Sequence, residues 1–301
     1  MVSFIDEHRA EYGVESICKQ LPIAPSVYFE QKARQADPTR VPVRVRRDVE
    51  MLGKIQRVYN ENFQVYGARK VWRQLGREDV RIARCTVERL MRSAELQGVR
   101  RGKRCRTTIP DPKVNRPDLV KRQFQASRPN QLWVADFTYV ATWGGFVYVA
   151  FVIDVFARRV IGWRVARSMQ TELVLDALEQ ALWSRSEVEG VIHHSDRGSQ
   201  YLSIRYSERL TEAGVEPSVG TTGDSYDNAL AETIIGLYKT EVIHHRGPWR
   251  TIDAVEYATL EWVDWFNNRR LLKPIGDIPP AELETAYYRQ REEPATVAAL
   301  N

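Results

Sequence analysis

Gln131-Leu-Trp-Val-Ala-Asp136-Phe-Thr-Tyr-Val140 decides the fold, because it sets one carboxylate inside a run of β-favouring apolar residues. A carboxylate buried alone costs free energy, so such a run keeps one only where it has a partner. Two later stretches offer partners. Val191-Ile-His193-His194-Ser195-Asp196-Arg-Gly198-Ser-Gln-Tyr201 ends an apolar run on an acid, and Ser225-Tyr-Asp227-Asn228-Ala-Leu-Ala-Glu232-Thr carries a third acid into a helical pattern. Thirty-five residues separate Asp196 from Glu232.

The surrounding periodicity supplies the scaffold. Residues 131–141 and 146–155 read as strands joined at Gly144-Gly145, and 159–166 as a third. An amphipathic helix follows over 171–185, then a buried strand over 188–193. A helix over 199–213, a strand over 215–219 and a helix over 226–243 complete the series. The order β-β-β-α-β-α-β-α matches an RNase H-like sheet. In such a sheet the first and fourth strands are neighbours, so Asp136 and Asp196 meet at one edge. Glu232, with Asn228 and Lys239 on the same helical face, points toward them, while Leu230, Ile234 and Leu237 pack on the sheet.

Three converging carboxylates repel unless a cation sits among them. Hard oxygen donors select Mg²⁺ or Mn²⁺. Two such ions can activate an attacking oxygen and stabilise a leaving one at phosphorus. The residues therefore read as a divalent-metal site acting on phosphodiesters. His193 and His194 offer a second, weaker metal reading against plain packing. Asp224 and Asp227 read as support for a helix N-terminus.

Charge divides the chain. Its net charge is +5, yet residues 1–130 hold 28 Lys and Arg against 15 Asp and Glu, whereas residues 131–301 hold 16 against 24. A basic half suits a polyanion. Cys18, Cys85 and Cys105 form no Cys-x-x-Cys pair, so neither a disulfide frame nor a zinc ribbon is expected. No apolar run is long enough to span a bilayer and no signal peptide is evident, so a cytoplasmic, nucleoid-associated protein with no membrane partner is expected.

Residues 1–40 read as a helical N-terminal segment, with Ser26 as an N-cap, and 37–46 as a linker. Residues 45–100 read as three helices. Val49, Leu52, Ile55 and Tyr59 line the first, Val71, Trp72 and Leu75 the second, and Val87, Leu90, Met91 and Ala94 the third, over 82–96. Arg84, Arg89 and Arg92 lie on the free side of the third. That arrangement fits either a helix-turn-helix reader or a bundle with a solvated basic face. Arg100, Arg101, Lys103, Arg104 and Arg106 put five cations into seven residues, which favours phosphate contacts. Residues 101–130 read as a basic, proline-rich linker, 131–245 as the catalytic core and 246–301 as a C-terminal helical extension. Within that extension 251–268 and 282–291 read as helices and 292–301 as a frayed end.

On Leu132-Trp-Val-Ala-Asp136-Phe-Thr-Tyr, His193-His-Ser-Asp196-Arg-Gly-Ser-Gln-Tyr201, Ser225 to Thr233 and Lys239, the chain resembles the OrfB-type transposases of bacterial insertion sequences, whose catalytic core is the DDE core of retroviral integrases. Val65-Tyr-Gly-Ala-Arg-Lys-Val-Trp72 and Arg84-Cys-Thr-Val-Glu-Arg-Leu-Met91 resemble that family's helix-turn-helix region. The resemblance implies strand cleavage at element ends and strand transfer by a 3′-hydroxyl. It implies metals held by Asp136, Asp196 and Glu232, and terminal DNA contacted by Lys239. The implied partners are double-stranded DNA at element ends and target, further copies of the chain on DNA, and an upstream-frame protein. Phe266-Asn-Asn-Arg-Arg270-Leu-Leu272 departs from the family's Tyr-Asn-x-x-Arg-x-His, a difference expected to alter DNA contacts. Two further readings stay open beside it, a DNA-binding regulator with a silent core and a nuclease without strand transfer.

Overall fold

The computed structural model describes residues 1–100, 125–185, 187–196, 200–219 and 228–298, the last seven by backbone alone. Its centre is a five-stranded sheet in the order β3-β2-β1-β4-β5. Strands β1 (Leu132–Thr142), β2 (Gly145–Asp154) and β3 (Arg159–Ala166) form an antiparallel meander. Strands β4 (Ile192–Ser195) and β5 (Glu216–Val219) add in parallel on the far side of β1. This is the mixed RNase H-like sheet that the strand order predicted.

Alternation along the strands divides the core between two faces. Trp133, Ala135, Ala150 and Val152 pack with α7 (Thr171–Trp183) and α8 (Ile204–Glu212). Val134, Val149 and Phe151 pack with α9 (Ala229–Tyr238) and α11 (Ile252–Asn268). Gly162 lets β3 and α7 touch backbone to backbone, for a Cβ there would lie 2.0 Å from the Ala177 carbonyl oxygen.

The strand expectations differ only at edges. β4 begins at Ile192 rather than 188, and α8 begins at Ile204, with 197–199 outside the described residues. The helix expected over 226–243 is α9, followed by a π-helical segment Lys239–Ile243 and a single turn α10 (His244–Arg246). The wider turn brings Glu241 inward, where it accepts from Arg270 at 2.9 and 3.1 Å and from Trp262 at 3.2 Å.

The N-terminal helices are α1 (Val2–Tyr12), α2 (Val14–Gln20) and α3 (Pro25–Ala36), which share a small core of Ile5, Ile17, Cys18 and Tyr28. Ser26 is not the cap of α3. Ala24 is, because Pro25 takes the first helical position, where its missing N–H costs nothing. The linker expected over 37–46 is shorter, since α4 (Val43–Glu61) starts directly after Pro42. The α4 core stripe is Met51, Ile55 and Val58, and Val49 is 67% exposed. Val49 matched the period by spacing alone, whereas packing chose the neighbouring stripe.

Helices α5 (Ala68–Arg77) and α6 (Arg84–Ser93) complete a three-helix unit with α4. Its core runs without a break into that of the sheet's α9/α11 face. Trp265 Nε1 donates to Asn62 at 3.0 Å, and the Tyr66 hydroxyl accepts the Leu271 N–H at 2.8 Å. The final helix α12 (Pro280–Ala298) continues well into the stretch expected to fray. No helix among the described residues is long and apolar enough to cross a membrane.

The segment around Arg270 proves to be packing. Arg270 is buried against Glu241, and Asn267 bonds both the N–H and the carbonyl of Val160, at 2.9 and 2.7 Å. The polar groups of Asn267 and Arg270 are thus engaged inside the protein, and Leu272, at the place of the family's His, is buried.

Candidate active site

Parallel register places the first two acids. Ala135 lies opposite Ser195, so Asp136 and Asp196 come one residue later on adjacent strands, at the point where β4 ends. Ligands gather at such carboxyl ends of parallel strands. Asp136 is half-buried and accepts the Phe137 N–H at 2.7 Å, while Asp196 is exposed.

The third acid arrives on α9. Leu230, Ala231, Ile234, Ile235 and Tyr238 bury one side of this helix, leaving Glu232 and then Lys239 half-exposed on the other. Buried Asn228 at the helix start donates to the Ala135 carbonyl at 2.8 Å. Helix and strand are thus tied beside Asp136.

Electrostatics link the four groups. Burial, then the charge of Asp196, push the Asp136 carboxyl well above the usual carboxylate range; Glu232 adds to the push, while the Phe137 N–H and Lys239 oppose it. Burial lowers Lys239, and the Asp136 charge partly restores it. The Lys239 ammonium lies 4.9 Å from the centre of the Tyr139 ring. No three His, Cys, Asp or Glu side chains among the described residues form a closed metal-holding group. The donor set, three carboxylates sharing one electrostatic neighbourhood, suits a hard divalent cation.

The histidines belong to the packing. His193 Nε2 pairs with the Tyr206 hydroxyl at 3.0 Å and His194 Nδ1 with Ser218 at 2.9 Å, both in the interior. Burial and the adjacent His194 lower the His193 pKa to about 4. Tyr201 stood in the acidic stretch without a role in the sequence reading. It is buried, with Phe137 and Tyr206 rings at 6.2 and 5.4 Å, and its hydroxyl has no hydrogen-bond partner among the described residues. Burial, Tyr206 and the charges of Asp136 and Asp196 push that hydroxyl well above its usual range. Only its place five residues beyond Asp196 could have marked it.

On the three-helix unit, Arg84, Arg89 and Arg92 are all exposed on α6, but two are engaged. Arg84 pairs with Glu88 at 3.1 Å and Arg89 with Asp48 at 2.7 Å. Arg100 is exposed, and Arg101, Lys103, Arg104 and Arg106 lie outside the described residues, as do Asp224, Asp227 and Gly198. Sequence reasoning missed Arg44 and Arg47, which line a groove between α4 and the start of α6 with Arg89. It also missed Arg73, Arg77 and Arg81 in the adjoining cleft near Asp277. These arginines are far apart in sequence or fall outside the third helix.

The sheet order, the acids at its edge and the preceding three-helix unit define an integrase-core polynucleotidyl transferase. Residues 126–225 and 213–280 match integrase core domain families, and residues 46–104 match an HTH-like domain. The chain is 58% identical to the transposase for insertion sequence element IS629 of Shigella sonnei, over 96% of this chain and 97% of that one. It is 59% identical to a putative transposase for IS986/IS6110 of Mycobacterium tuberculosis, over 91% of this chain and 99% of that one. Among solved structures it is similar to the HTLV-2 integrase catalytic core domain in complex with magnesium. That match has 18% identity and a TM-score of 0.41, and covers 52% of this chain and 98% of that one. The chain belongs to the insertion-sequence transposase family.

Proposed function

We propose that Asp136, Asp196 and Glu232 hold two Mg²⁺ or Mn²⁺ ions and that the chain uses them to cut and rejoin DNA at insertion-sequence ends. The observation that carries this reading is the placement of Asp136 and Asp196 side by side where β1 and β4 part, with the Glu232 helix tied to the Asp136 strand by Asn228. When bound, the ions supply an activated attacking oxygen and charge stabilisation at the scissile phosphate. The protein's own groups do the rest. Asn228 fixes the Glu232 helix to the Asp136 strand. Lys239, beside Tyr139, holds the phosphate backbone of the terminal nucleotides. In joining, a 3′-hydroxyl oxygen forms a new bond to phosphorus while the target strand's P–O bond breaks in line.

The division at residues 1–40, 45–100, 101–130, 131–245 and 246–301 belongs to the same proposal. The three-helix unit binds duplex ends through Arg92, Arg100 and the basic run that follows, with Arg84 and Arg89 exchanging Glu88 and Asp48 for phosphates. Further copies of the chain assemble on DNA, an upstream-frame protein assists, and the work takes place in the bacterial cytoplasm at the nucleoid.

The test is cleavage and joining of a labelled duplex carrying the element's own end, with Mg²⁺, with Mn²⁺ and with EDTA, beside Asp196→Ala. Metal-dependent joining lost in the variant supports the proposal. Cleavage without joining would favour a plain nuclease, and binding without either activity a regulator.

A further inference from the structure

The β1–β2 hairpin carries large apolar side chains into solvent. Tyr139 is 51% exposed, Trp143 69% and Phe146 57%. Tyr139 and Phe146 meet edge to face at 5.4 Å. Each end of the group holds a cation against a ring: Lys239 over Tyr139 at 4.9 Å, and Arg250 over Trp143 at 5.0 Å. The tip is anchored, because the Trp143 N–H donates to the Trp249 carbonyl at 3.1 Å and Thr142 bridges to Trp249.

The group is also placed with respect to the acids. Tyr139 lies three residues beyond Asp136 on β1, about 10 Å along the strand and on its other face, and Trp143 lies roughly 23 Å along it at the tip. The Lys239 charge is felt at Asp136. Lys239 therefore joins the acids to an aromatic group that runs to the hairpin tip.

Exposed aromatics of this size mark an interaction surface. Two features select its occupant. The cations call for an anionic partner, and the exposed aromatic side chains call for flat apolar groups. Paired DNA offers the first but hides the second, because its bases are stacked on one another. Unpaired DNA offers both. A base lies on each ring, and the adjoining phosphates take Lys239 and Arg250.

We infer that Tyr139, Phe146 and Trp143, with Lys239 and Arg250, form a stacking track for a short unpaired DNA strand running out of the catalytic site. The inference rests on the DNA-processing function proposed above. The track holds the end of a strand once it is freed from its complement and keeps it from re-pairing beside the acids.

The test is fluorescence anisotropy of the full chain on two labelled probes, a blunt duplex and the same duplex with a short unpaired 3′ tail. The unmodified chain prefers the tailed probe. Trp143→Ala and Phe146→Ala each weaken tailed-probe binding by roughly 5- to 150-fold, the range for removing a base-stacking aromatic, and leave the blunt probe unaffected. Trp143→Phe restores most of the loss. Both side chains are exposed, so their removal spares the core, and circular dichroism of each variant checks this. Equal weakening of both probes, or no weakening, overturns the track while the transposase reading stands. A change in sedimentation in place of tailed-probe binding overturns it in favour of a surface between copies of the chain. Failure of the unmodified chain to bind either probe overturns both proposals.

Discussion

The Asn228 side-chain amide donates a 2.8 Å hydrogen bond to the backbone carbonyl of Ala135, the residue that precedes Asp136. Asn228 also begins the helix that carries Glu232. One buried bond thereby sets the spacing between two acids that are distant in sequence. Asn228→Ala should destabilise the fold by about 1–2 kcal/mol, as expected for a buried side-chain bond. Strand joining should fall by roughly 10- to 100-fold, because small misplacements of catalytic groups cost that much, while duplex binding holds. Chemical denaturation, joining assays and binding titrations check the three parts.

Crowded acids carry a stability cost. The Asp136 carboxyl is pushed upward by its burial and by the charges of Asp196 and Glu232, so the fold disfavours its charged form. Glu232→Gln should therefore melt higher than the unmodified chain in EDTA, because one of the charges that push Asp136 upward is gone. Adding Mg²⁺ should stabilise the unmodified chain and leave the variant nearly unmoved. Thermal melts with and without metal give both comparisons.

His193 gives the fold a pH limit. Burial and His194 lower its pKa to about 4, below the ordinary value of 6.5. Between those values the unfolded chain takes up a proton that the folded chain refuses, so stability rises with pH across that window. The full contribution is present above pH 6.5 and is lost as pH falls toward 4. The loss is on the order of 3 kcal/mol for a fully buried imidazole. His193→Gln should flatten this part of the melting-temperature profile relative to the unmodified chain, which separates it from the carboxylates titrating at lower pH.

Arg270 tests the reading of the C-terminal segment as packing. Its guanidinium is buried against Glu241 and beside the Phe266 and Trp265 rings, at 5.5 and 5.8 Å. Arg270→Ala leaves Glu241 buried without its cation and should cost about 3–5 kcal/mol. Denaturant melts should show the loss, and the double variant Glu241→Gln/Arg270→Met should recover much of it.

How much of this was legible beforehand varies with the physics involved. The five strands followed from β-type runs, since side-chain alternation is local, and the adjacency of β1 and β4 from the RNase H-like sheet that their order matches. Glu232 and Lys239 followed from helical spacing. The stripe of α4 did not, because Val49 and Met51 satisfy similar spacings and only packing against α5 and α6 chooses between them. The π-helical segment at Lys239–Ile243 left no local mark, for it is stabilised by Glu241 meeting Arg270 across 29 residues. Tyr201 and Asn228 were quoted within motifs, yet their roles depend on tertiary neighbours. The arginines of the α4–α6 groove were hidden because Arg44 and Arg47 lie some forty residues before Arg89 and meet it only in the fold.

The most direct measurement is the number of Mn²⁺ ions bound per DNA-loaded chain, read by electron paramagnetic resonance, for the unmodified protein and for Asp136→Asn, Asp196→Asn and Glu232→Gln. If the three acids form the metal site, the unmodified chain binds about two ions and each variant loses at least one. Unchanged binding in all three variants would contradict the site and require the metal to sit elsewhere.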